Sequence, residues 1–278
     1  MTSVPEIRIA EGVSIPQLGF GVFQVPPETT EAAVTTALEV GYRHLDTAQM
    51  YGNEQGVGDA LTSSGLSRDE MFVTSKLNNG FHRREDALRE AERSVERLGG
   101  PMDLFLIHWP LPTIDVDYLE TWKAMIEIRD AGLTRAIGVS NFQVPHLERI
   151  IAETGVKPAV NQIEVHPYLT NETVRAYDAE QGIATEAWSP IAQGAVLDDP
   201  AIAAIAERLG RTTAQVTLRW HIQRGDIVFP KSVTRARVEE NFQLFDFELT
   251  DADVQAITAL NKDRRTGPDP DTFDYVPA

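Results

Sequence analysis

The sequence has 278 residues and no cysteine, and this absence excludes several kinds of chemistry. Disulfide bonds, thiolate zinc sites, iron–sulfur clusters and thiol nucleophiles all require cysteine. No apolar run approaches the roughly 20 residues that a membrane-spanning helix needs. The N-terminal segment "MTSVPEIRIAEG" is polar and acidic, unlike a secretory signal. We therefore expect a cytoplasmic protein without a metal site and without a membrane partner.

Positive charge is also scarce. The chain has 25 Lys and Arg residues against 42 Asp and Glu residues, which gives a formal net charge of −17. Such a surface repels nucleic acids and anionic lipids, so we expect neither as a partner. An anionic small molecule is still possible, but it needs a local cluster of basic side chains or a helix N-terminus.

Short apolar segments alternate with helical patterns along the chain. Two short stretches around "AEG" predict a β-hairpin. Eight strand–helix units follow, from a strand in "GFGVF" to a strand in "DIVFPKS". Alternating βα units predict a parallel sheet, and eight of them in about 250 residues predict a closed (β/α)8 TIM barrel. We expect one domain over residues 1–278, with extra C-terminal helices and an irregular tail, "GPDPDTFDYVPA".

A doubly wound dinucleotide-binding fold is the competing architecture. Its nearest fingerprint is "GFGVFQ", which lacks the third glycine and has Gln24 near that place. A helix should also follow the glycines directly, and here it does not. The sequence therefore favours the barrel.

Nearly every predicted strand ends in a polar or aromatic side chain. The carboxyl ends of barrel strands form one face, where the active sites of such barrels lie. One polar strand end is easily explained by the chain turning toward solvent, but seven together favour a functional site. In strand order these residues are Asp46, Lys76, His108 with Trp109, Ser140 with Asn141, Asn161 with Gln162 and Glu164, Trp188 with Ser189, and Lys231 with Ser232.

Asp46, Lys76, Tyr51 and His108 fit the chemistry of carbonyl reduction. Asp46 on one strand should keep Lys76 on the next strand charged. A cation near Tyr51 stabilises its phenolate, so we expect the pKa of Tyr51 to lie below about 10. Tyr51 would then be a general acid, and His108 would orient a substrate oxygen. We interpret His44 and His166 as structural, and His82, His146 and His221 as helical residues without a functional role.

A carbonyl reductase requires a hydride donor, and no side chain supplies hydride. The sequence predicts a place for a reduced nicotinamide. Trp188 could stack on its ring, while Ser140, Asn141 and Gln162 could bind its carboxamide. The loop "WSPIAQG", with Ser189 and Gly194, could hold a pyrophosphate. The segment "PKSVTRARVEEN" brings Lys231, Ser232, Thr234 and Arg237 to a helix start, which favours NADPH over NADH.

The motifs "GYRHLDTAQMYGNE", "LFLIHWP", "IGVSNF", "VNQIEVHP", "WSPIAQG" and "FPKSVTRARVEEN" resemble those of the aldo-keto reductase superfamily. They occur in family order over nearly the whole chain. The chain is most similar to the bacterial group containing 2,5-diketo-D-gluconate reductase. The resemblance implies a (β/α)8 barrel with the hairpin at its base, NADPH bound without a doubly wound fold, a small carbonyl substrate and a monomeric state.

The resemblance also implies a role for each matching residue. Tyr51 would be the proton donor, Lys76 and Asp46 would tune it, and His108 would orient the carbonyl. Glu240 and Asn241 would lie on the adenine side of the cofactor. The full set of cofactor-binding candidates is Gly21, Ser140, Asn141, Gln162, Trp188, Ser189, Pro190, Ile191, Gln193, Gly194, Lys231, Ser232, Val233, Thr234, Arg237, Glu240 and Asn241.

The sequence departs from the family in the predicted substrate wall. Asn78 and Asn79 follow Lys76 where relatives often have Trp, and Phe23 stands where many have Trp. Met50 precedes Tyr51, and Trp109 is retained. We take Phe23, Met50, Asn78 and Trp109 as substrate-binding candidates, and they leave the identity of the carbonyl compound open.

Two other functions use the same residues. A barrel aldolase would use Lys76 as a Schiff-base nucleophile, although Asp46 should keep that lysine charged. A cofactor-sensing subunit would bind NADPH without catalysis, although such a subunit does not need a proton donor. Turnover with a panel of carbonyl compounds separates the three functions.

Overall fold

The computed structural model describes residues 4–277 of the chain. Short strands alternate with helices in the order that the sequence predicts. The strands are β1 (Glu6–Ala10), β2 (Val13–Pro16), β3 (Phe20–Gly21), β4 (His44–Asp46), β5 (Phe72–Leu77), β6 (Met102–Ile107), β7 (Thr134–Ser140), β8 (Val160–Glu164), β9 (Ala184–Trp188) and β10 (Ile227–Val228). The α-helices are α1 (Pro27–Val40), α2 (Glu54–Ser63), α3 (Arg84–Leu98), α4 (Tyr118–Asp130), α5 (Val144–Thr154), α6 (Glu172–Gln181), α7 (Pro200–Leu209), α8 (Thr213–Gln223), α9 (Arg235–Phe242) and α10 (Asp251–Thr258).

Strands β3 to β10 form a parallel sheet whose spatial order follows the chain order. The sheet closes through a parallel bridge between Leu18 and Val228. The Gly19 N–H donates to the Val228 carbonyl at 2.7 Å, and the Val228 N–H donates to the Gln17 carbonyl at 2.9 Å. The predicted (β/α)8 barrel is therefore confirmed.

The N-terminal hairpin closes the base of the barrel. Strands β1 and β2 pair antiparallel, with Ile7 opposite Ile15. Ile15 is fully buried and packs in one apolar cluster with Leu104 and Val160 from inside the barrel. The strand carboxyl ends form the face that we call the mouth. The hairpin therefore seals the end of the barrel opposite the mouth.

Two barrel strands are shorter than the sequence suggests. The segment "GFGVF" contributes only Phe20–Gly21, and "DIVFPKS" contributes only Ile227–Val228. Pro230 lacks the N–H that would extend the last strand, so the chain leaves the sheet there. Lys231 and Ser232 consequently lie in a loop at the mouth rather than at a strand end.

The connection after β4 also differs from expectation. Tyr51 ends a short 3₁₀ helix, Gln49–Tyr51, instead of lying in an open loop. Asn53 precedes α2 but makes no capping hydrogen bond. Its side chain instead accepts from Thr47 Oγ1 at 2.8 Å and donates to the carbonyls of Val22 and Val25 at 3.0 and 3.1 Å. Asn53 therefore ties the first mouth loop to the second.

His82 was predicted to lie in a helix, and this prediction was wrong. It falls between the 3₁₀ helix Asn79–Phe81 and α3, where its ring contacts Thr121.

Among residues 4–277, no helix is long and apolar enough to cross a membrane.

Helices α2 and α3 approach each other closely at Gly58. A Cβ atom placed on Gly58 would collide with the carbonyl oxygen of Arg97 and lie 3.1 Å from the Cα of Leu98. Both obstacles are backbone atoms at the end of α3, so neither can rotate away. Gly58 is therefore required by packing, although glycine is a poor helix former.

We predict that Gly58→Ala destabilises the protein. Overpacking a tight contact costs about 1–3 kcal/mol, which exceeds the ~1 kcal/mol that alanine contributes through helix propensity. Chemical denaturation of the wild type and the variant measures the difference. Gly100→Ala is the control, because a Cβ there meets no atom within 4 Å. Equal stability of the Gly58 variant and the wild type would contradict the packing argument.

Candidate active site

The Lys76 ammonium group lies inside the mouth of the barrel and is bound by Asp46. Its Nζ donates to the Asp46 oxygens at 2.7 and 2.9 Å and to the Thr47 carbonyl at 2.8 Å. Lys76 is completely buried and Asp46 is nearly so. Burial alone would lower the pKa of Lys76, but the Asp46 charge and the Tyr51 hydroxyl outweigh it, and the pKa lies above its usual 10.5. Lys76 is therefore held as a cation.

Tyr51 lies beside this cation. Its hydroxyl oxygen is 3.4 Å from Lys76 Nζ, and its ring packs edge-on against His108 with a centroid distance of 5.7 Å. Lys76 lowers the pKa of Tyr51, as expected, but burial raises it more, and Asp46 adds to that rise. The expectation of a net pKa below about 10 was therefore wrong. Tyr51 is a phenol that keeps its proton through the neutral range.

His108 completes the group of four at the end of β6. Burial, followed by the charge of Lys76 and then by His82, places its pKa well below 6.5. The imidazole is therefore neutral and offers one N–H donor without adding charge. The four predicted catalytic residues do meet in one place.

The polar residues at the ends of β7, β8 and β9 form a second group beside the first. Asn141 adopts a left-handed backbone conformation with φ of 65° and donates to the His108 carbonyl at 2.9 Å. Trp188 Nε1 donates to Asn141 Oδ1 at 2.8 Å, and Ser140 Oγ donates to the Gln162 carbonyl at 2.9 Å. These contacts fix the orientation of each side chain at the mouth.

Gln162 connects the two groups, and it also binds Glu186, a residue that the sequence analysis missed. Its Nε2 donates to Asp46 Oδ2 at 2.9 Å and to Glu186 Oε2 at 2.8 Å. Both amide hydrogens are thereby used, which leaves Oε1 as the acceptor available to a ligand. The sequence did contain a signal for it, because Glu186 is a charged residue within the otherwise apolar strand segment "IATEAWSP".

The loop after β9 has an unusual backbone. Ser189, Ala192, Gln193 and Gly194 all have positive φ, between 49° and 96°. A right-handed residue followed by a left-handed one, as at Ile191 and Ala192, can turn backbone N–H groups toward one side, which is a common way to bind phosphate. This loop contains the predicted pyrophosphate candidates Ser189, Pro190, Ile191, Gln193 and Gly194.

His221, which the sequence analysis dismissed, holds this loop in place. It is fully buried, and its Nε2 lies 3.0 Å from the Pro190 carbonyl while Nδ1 lies 2.9 Å from Asp226 Oδ2. Burial lowers the pKa of His221, and its hydrogen bond to Asp226 opposes this effect. The histidine links the loop to the start of β10.

The basic segment after β10 is open to solvent. Lys231 and Arg237 are exposed, and within residues 4–277 neither forms an ion pair. Arg235 on the same helix pairs with Glu39 and Glu239. Ser232 Oγ accepts from the Thr234 N–H at 3.1 Å, while the predicted neighbour Val233 is exposed. Two unpaired cations beside a helix start can bind a phosphate group.

Three further residues that were predicted to bind the cofactor each lie in different surroundings. Gly21 lies in β3, where a Cβ would be 2.7 Å from the Phe229 carbonyl, so packing requires glycine there. Glu240 accepts from Thr212 Oγ1 at 2.8 Å, so its carboxylate is already bound by the protein. Asn241 is half-buried at the end of α9.

Aromatic side chains form the rim of the mouth. Phe23 is 54% exposed and leans on Tyr51 with a ring-centroid distance of 5.1 Å. Trp109 packs on Phe273 from the C-terminal tail at 4.3 Å. Met50 is half-buried beside Tyr51. These residues present an apolar surface above the buried charges.

Asn78 fits the predicted substrate wall less well. Its side-chain oxygen accepts from the Gly80 N–H at 2.9 Å and caps the 3₁₀ helix Asn79–Phe81. Its own N–H donates to Gln49 Oε1 at 2.8 Å. Asn78 therefore shapes the loop through its local hydrogen bonds.

The C-terminal tail crosses the mouth as a strap. The Thr266 N–H and Oγ1 both donate to Glu164 Oε1 at 2.5 Å, and the Gly267 N–H donates to Oε2 at 3.2 Å. Further along, the Tyr275 carbonyl accepts from Asn79 Nδ2 at 2.9 Å. Gly267 also lies against the edge of the Trp188 indole, so a larger residue would displace that ring.

Comparisons with known proteins identify the family. The model of the aldo/keto reductase family matches residues 17–262. An aldo-keto reductase from Mycolicibacterium smegmatis is 50% identical over 273 residues, covering 98% of this chain and 99% of the relative. The methylglyoxal reductase DkgA of Yersinia pestis is 48% identical over 277 residues, with 98% and 99% covered.

A solved structure is similar over the whole chain. The crystal structure of a Gox0644 mutant in complex with NADPH has a TM-score of 0.94 and 44% sequence identity, and the match covers 99% of this chain and 100% of that chain. The barrel, the buried cation beside a tyrosine and these likenesses lead to one conclusion: the chain is an oxidoreductase that belongs to the aldo/keto reductase family.

Proposed function

We propose that the protein reduces small aldehydes and ketones, including dicarbonyls and keto-sugars, to alcohols with NADPH. The observation that carries this proposal is the buried Lys76 cation, which is bound by Asp46 and the Thr47 carbonyl and lies 3.4 Å from the Tyr51 hydroxyl. A tyrosine placed in this way can give a proton to a carbonyl oxygen. One relative is named a methylglyoxal reductase, which supports a dicarbonyl among the compounds to test.

Tyr51 is the proposed proton donor. Its raised pKa keeps the phenol protonated at neutral pH, so it is ready to act as an acid. Negative charge develops on the carbonyl oxygen during reduction, and preplaced donors stabilise it. The neutral His108 imidazole is the second donor and orients the oxygen toward Tyr51. Lys76 stays charged because three acceptors surround it, and it stabilises the phenolate that remains on Tyr51 after proton transfer.

The residues at the mouth also fit NADPH, whose bound nicotinamide would supply the hydride. Gln162 offers a free amide oxygen toward a carboxamide, since both its amide hydrogens are used by Asp46 and Glu186. The left-handed backbone between residues 189 and 194 suits a pyrophosphate. Lys231 and Arg237 suit the 2′-phosphate that distinguishes NADPH from NADH.

The same geometry argues against a Schiff-base aldolase. A nucleophilic lysine must lose its proton, and the raised pKa of Lys76 opposes this loss. Borohydride trapping of a carbonyl compound on Lys76 would support the aldolase instead. A cofactor-sensing subunit would bind NADPH without turning over any carbonyl compound. A panel of aldehydes, ketones and dicarbonyls, assayed with NADPH and with NADH, tests the proposed function directly.

We predict that Tyr51→Phe removes the proton donor and lowers kcat for reduction by roughly 10²–10⁴-fold, the range for general acid catalysis. NADPH affinity should change little, because the phenol hydroxyl is not among the residues proposed to bind the cofactor. Steady-state kinetics and fluorescence titration with NADPH measure the two effects. Tyr177→Phe, on the outer helix α6, is the control. Wild-type turnover by Tyr51→Phe would show that another group donates the proton.

We predict that Lys231→Ala combined with Arg237→Ala weakens NADPH binding by about 10–100-fold, because two solvent-screened, charge-assisted contacts that together contribute about 1.5–3 kcal/mol are lost. NADH binding should change far less. Titrating each variant with both dinucleotides gives the comparison. Arg235→Ala is the matched control, since that arginine is paired with Glu39 and Glu239. If NADPH and NADH lost affinity equally, the two cations would have no part in recognising the 2′-phosphate.

A further inference from the structure

Glu186 is a buried carboxyl group inside the barrel that the proposed mechanism does not use. It lies on β9, where its register partners are Gln162 on β8 and Ile227 on β10. Its side chain is fully buried. A buried carboxyl group needs hydrogen bonds or a nearby cation, so its surroundings determine whether it carries charge.

A single amide group joins Glu186 to the catalytic aspartate. Gln162 Nε2 donates one hydrogen to Asp46 Oδ2 at 2.9 Å and the other to Glu186 Oε2 at 2.8 Å. Two carboxyl groups therefore share one neutral donor in the dry interior of the barrel. The charge of either carboxyl group therefore affects the pKa of the other.

The charges around Glu186 do not balance if both carboxyl groups are ionised. The titratable groups that face it are His44 and Asp46 from β4 and Lys76 from β5. Burial lowers the pKa of His44 to about 3, so this ring is neutral. Within the described part of the chain, Lys76 is then the single cation in this cluster. It binds Asp46 directly, and one cation cannot offset two buried carboxylates at low cost.

The hydrogen bonds indicate which carboxyl group keeps a proton. Asp46 accepts from Lys76 through both oxygens and from Gln162 through Oδ2. Glu186 Oε1 accepts no hydrogen bond from the residues that the structure describes. This oxygen lies 3.8 Å from His44 Nε2.

The tautomer of His44 fits a proton on Glu186. His44 Nδ1 lies 3.2 Å from the Pro16 carbonyl, which can only accept, so Nδ1 carries the hydrogen. Nε2 is then an acceptor, which Thr74 Oγ1 approaches at 3.4 Å and Glu186 Oε1 at 3.8 Å. In agreement, burial first and the Asp46 charge second raise the pKa of Glu186 to about 8.

We propose that Glu186 is a positioning residue whose charge, transmitted through Gln162 to Asp46 and Lys76, sets the pH at which Tyr51 stops acting as an acid. This inference rests on the proposed carbonyl reduction. Protonated Glu186 leaves Asp46 as the only anion beside Lys76. When Glu186 loses its proton to solvent, a second negative charge enters the cluster and disfavours the Tyr51 phenolate.

The consequence is a bias in reaction direction. Reduction needs the protonated phenol, whereas the reverse oxidation of an alcohol needs the phenolate as a base. Ionised Glu186 keeps the phenol protonated at alkaline pH. Reduction therefore extends to higher pH, and oxidation is held back over the same range.

The experiment compares the wild type with Glu186→Gln, which has nearly the same shape and no charge. The pH profiles of kcat are measured for reduction with NADPH and for alcohol oxidation with NADP⁺. We expect the alkaline limb of reduction to move down by about one pH unit in the variant, and oxidation above pH about 8 to rise by roughly tenfold. Coincident alkaline limbs in the two proteins would overturn the inference.

Asp178→Asn is the matched control. Asp178 is another fully buried carboxyl group, and burial raises its pKa to about 7, but its partners are Asn161 and Thr185 on the outside of the barrel. Removing its charge should leave the alkaline limb where it is in the wild type. A shift of the same size in Asp178→Asn would mean that any buried charge has this effect, and the specific role of Glu186 would be lost.

Infrared spectroscopy separates this inference from the proposed function. Protein labelled with isotopic glutamate should show a protonated glutamic acid band at neutral pH that disappears as pH rises through about 8. The band should be missing from Glu186→Gln. If that variant does not fold, the titration of the wild type by itself tests whether Glu186 is protonated. A missing band in the wild type would show that Glu186 is ionised and would refute the inference. Absence of carbonyl turnover with the band present would refute the proposed function instead.

Discussion

The Lys76 ammonium group, bound in the barrel by the Asp46 carboxylate and the Thr47 carbonyl, is the interaction on which the site depends. A lysine buried without an anion would lose its proton, and an aspartate buried without a cation would gain one. Each residue therefore favours the charged form of the other, while burial holds the pKa of Asp46 above its usual 3.8. The barrel makes the pair possible because neighbouring parallel strands bring their carboxyl ends to one face. Burial first, and this fixed positive charge second, determine the protonation of Tyr51 and His108.

Buried polar side chains hold the mouth loops and the C-terminal tail in position. Asn53 joins the loop after β3 to the loop after β4, and His221 holds the loop after β9. Glu164 binds the tail through two backbone N–H groups. In each case a buried polar side chain satisfies backbone groups that no strand or helix satisfies. The loops can therefore depart from regular structure and still present their side chains in one arrangement.

The sequence predicts the parts of this protein that follow from strand periodicity. The barrel, its hairpin and the meeting of Asp46, Lys76 and His108 all follow from where apolar strands end. The net pKa of Tyr51 could not be predicted, because it depends on how far the folded protein shields the phenol from solvent. Asn53 and Asn78 have the residue types of helix starts, but Asn53 instead bonds to a neighbouring loop. Glu186 was missed because its importance depends on its register with Gln162, which sequence alone does not provide.

The tail has a consequence for how the rim of the mouth can change. It is attached at Thr266 and Gly267 on one side and at Phe273 and Tyr275 on the other. The span between these attachments, residues 268–272, bridges the opening without a helix or strand. Pro270 in that span is buried and Asp271 lies 3.8 Å from His146 Nε2, whereas the other three positions are exposed and can vary while both attachments and the buried charges stay as they are. The width and polarity of the entrance are thus separable from the buried charges below it.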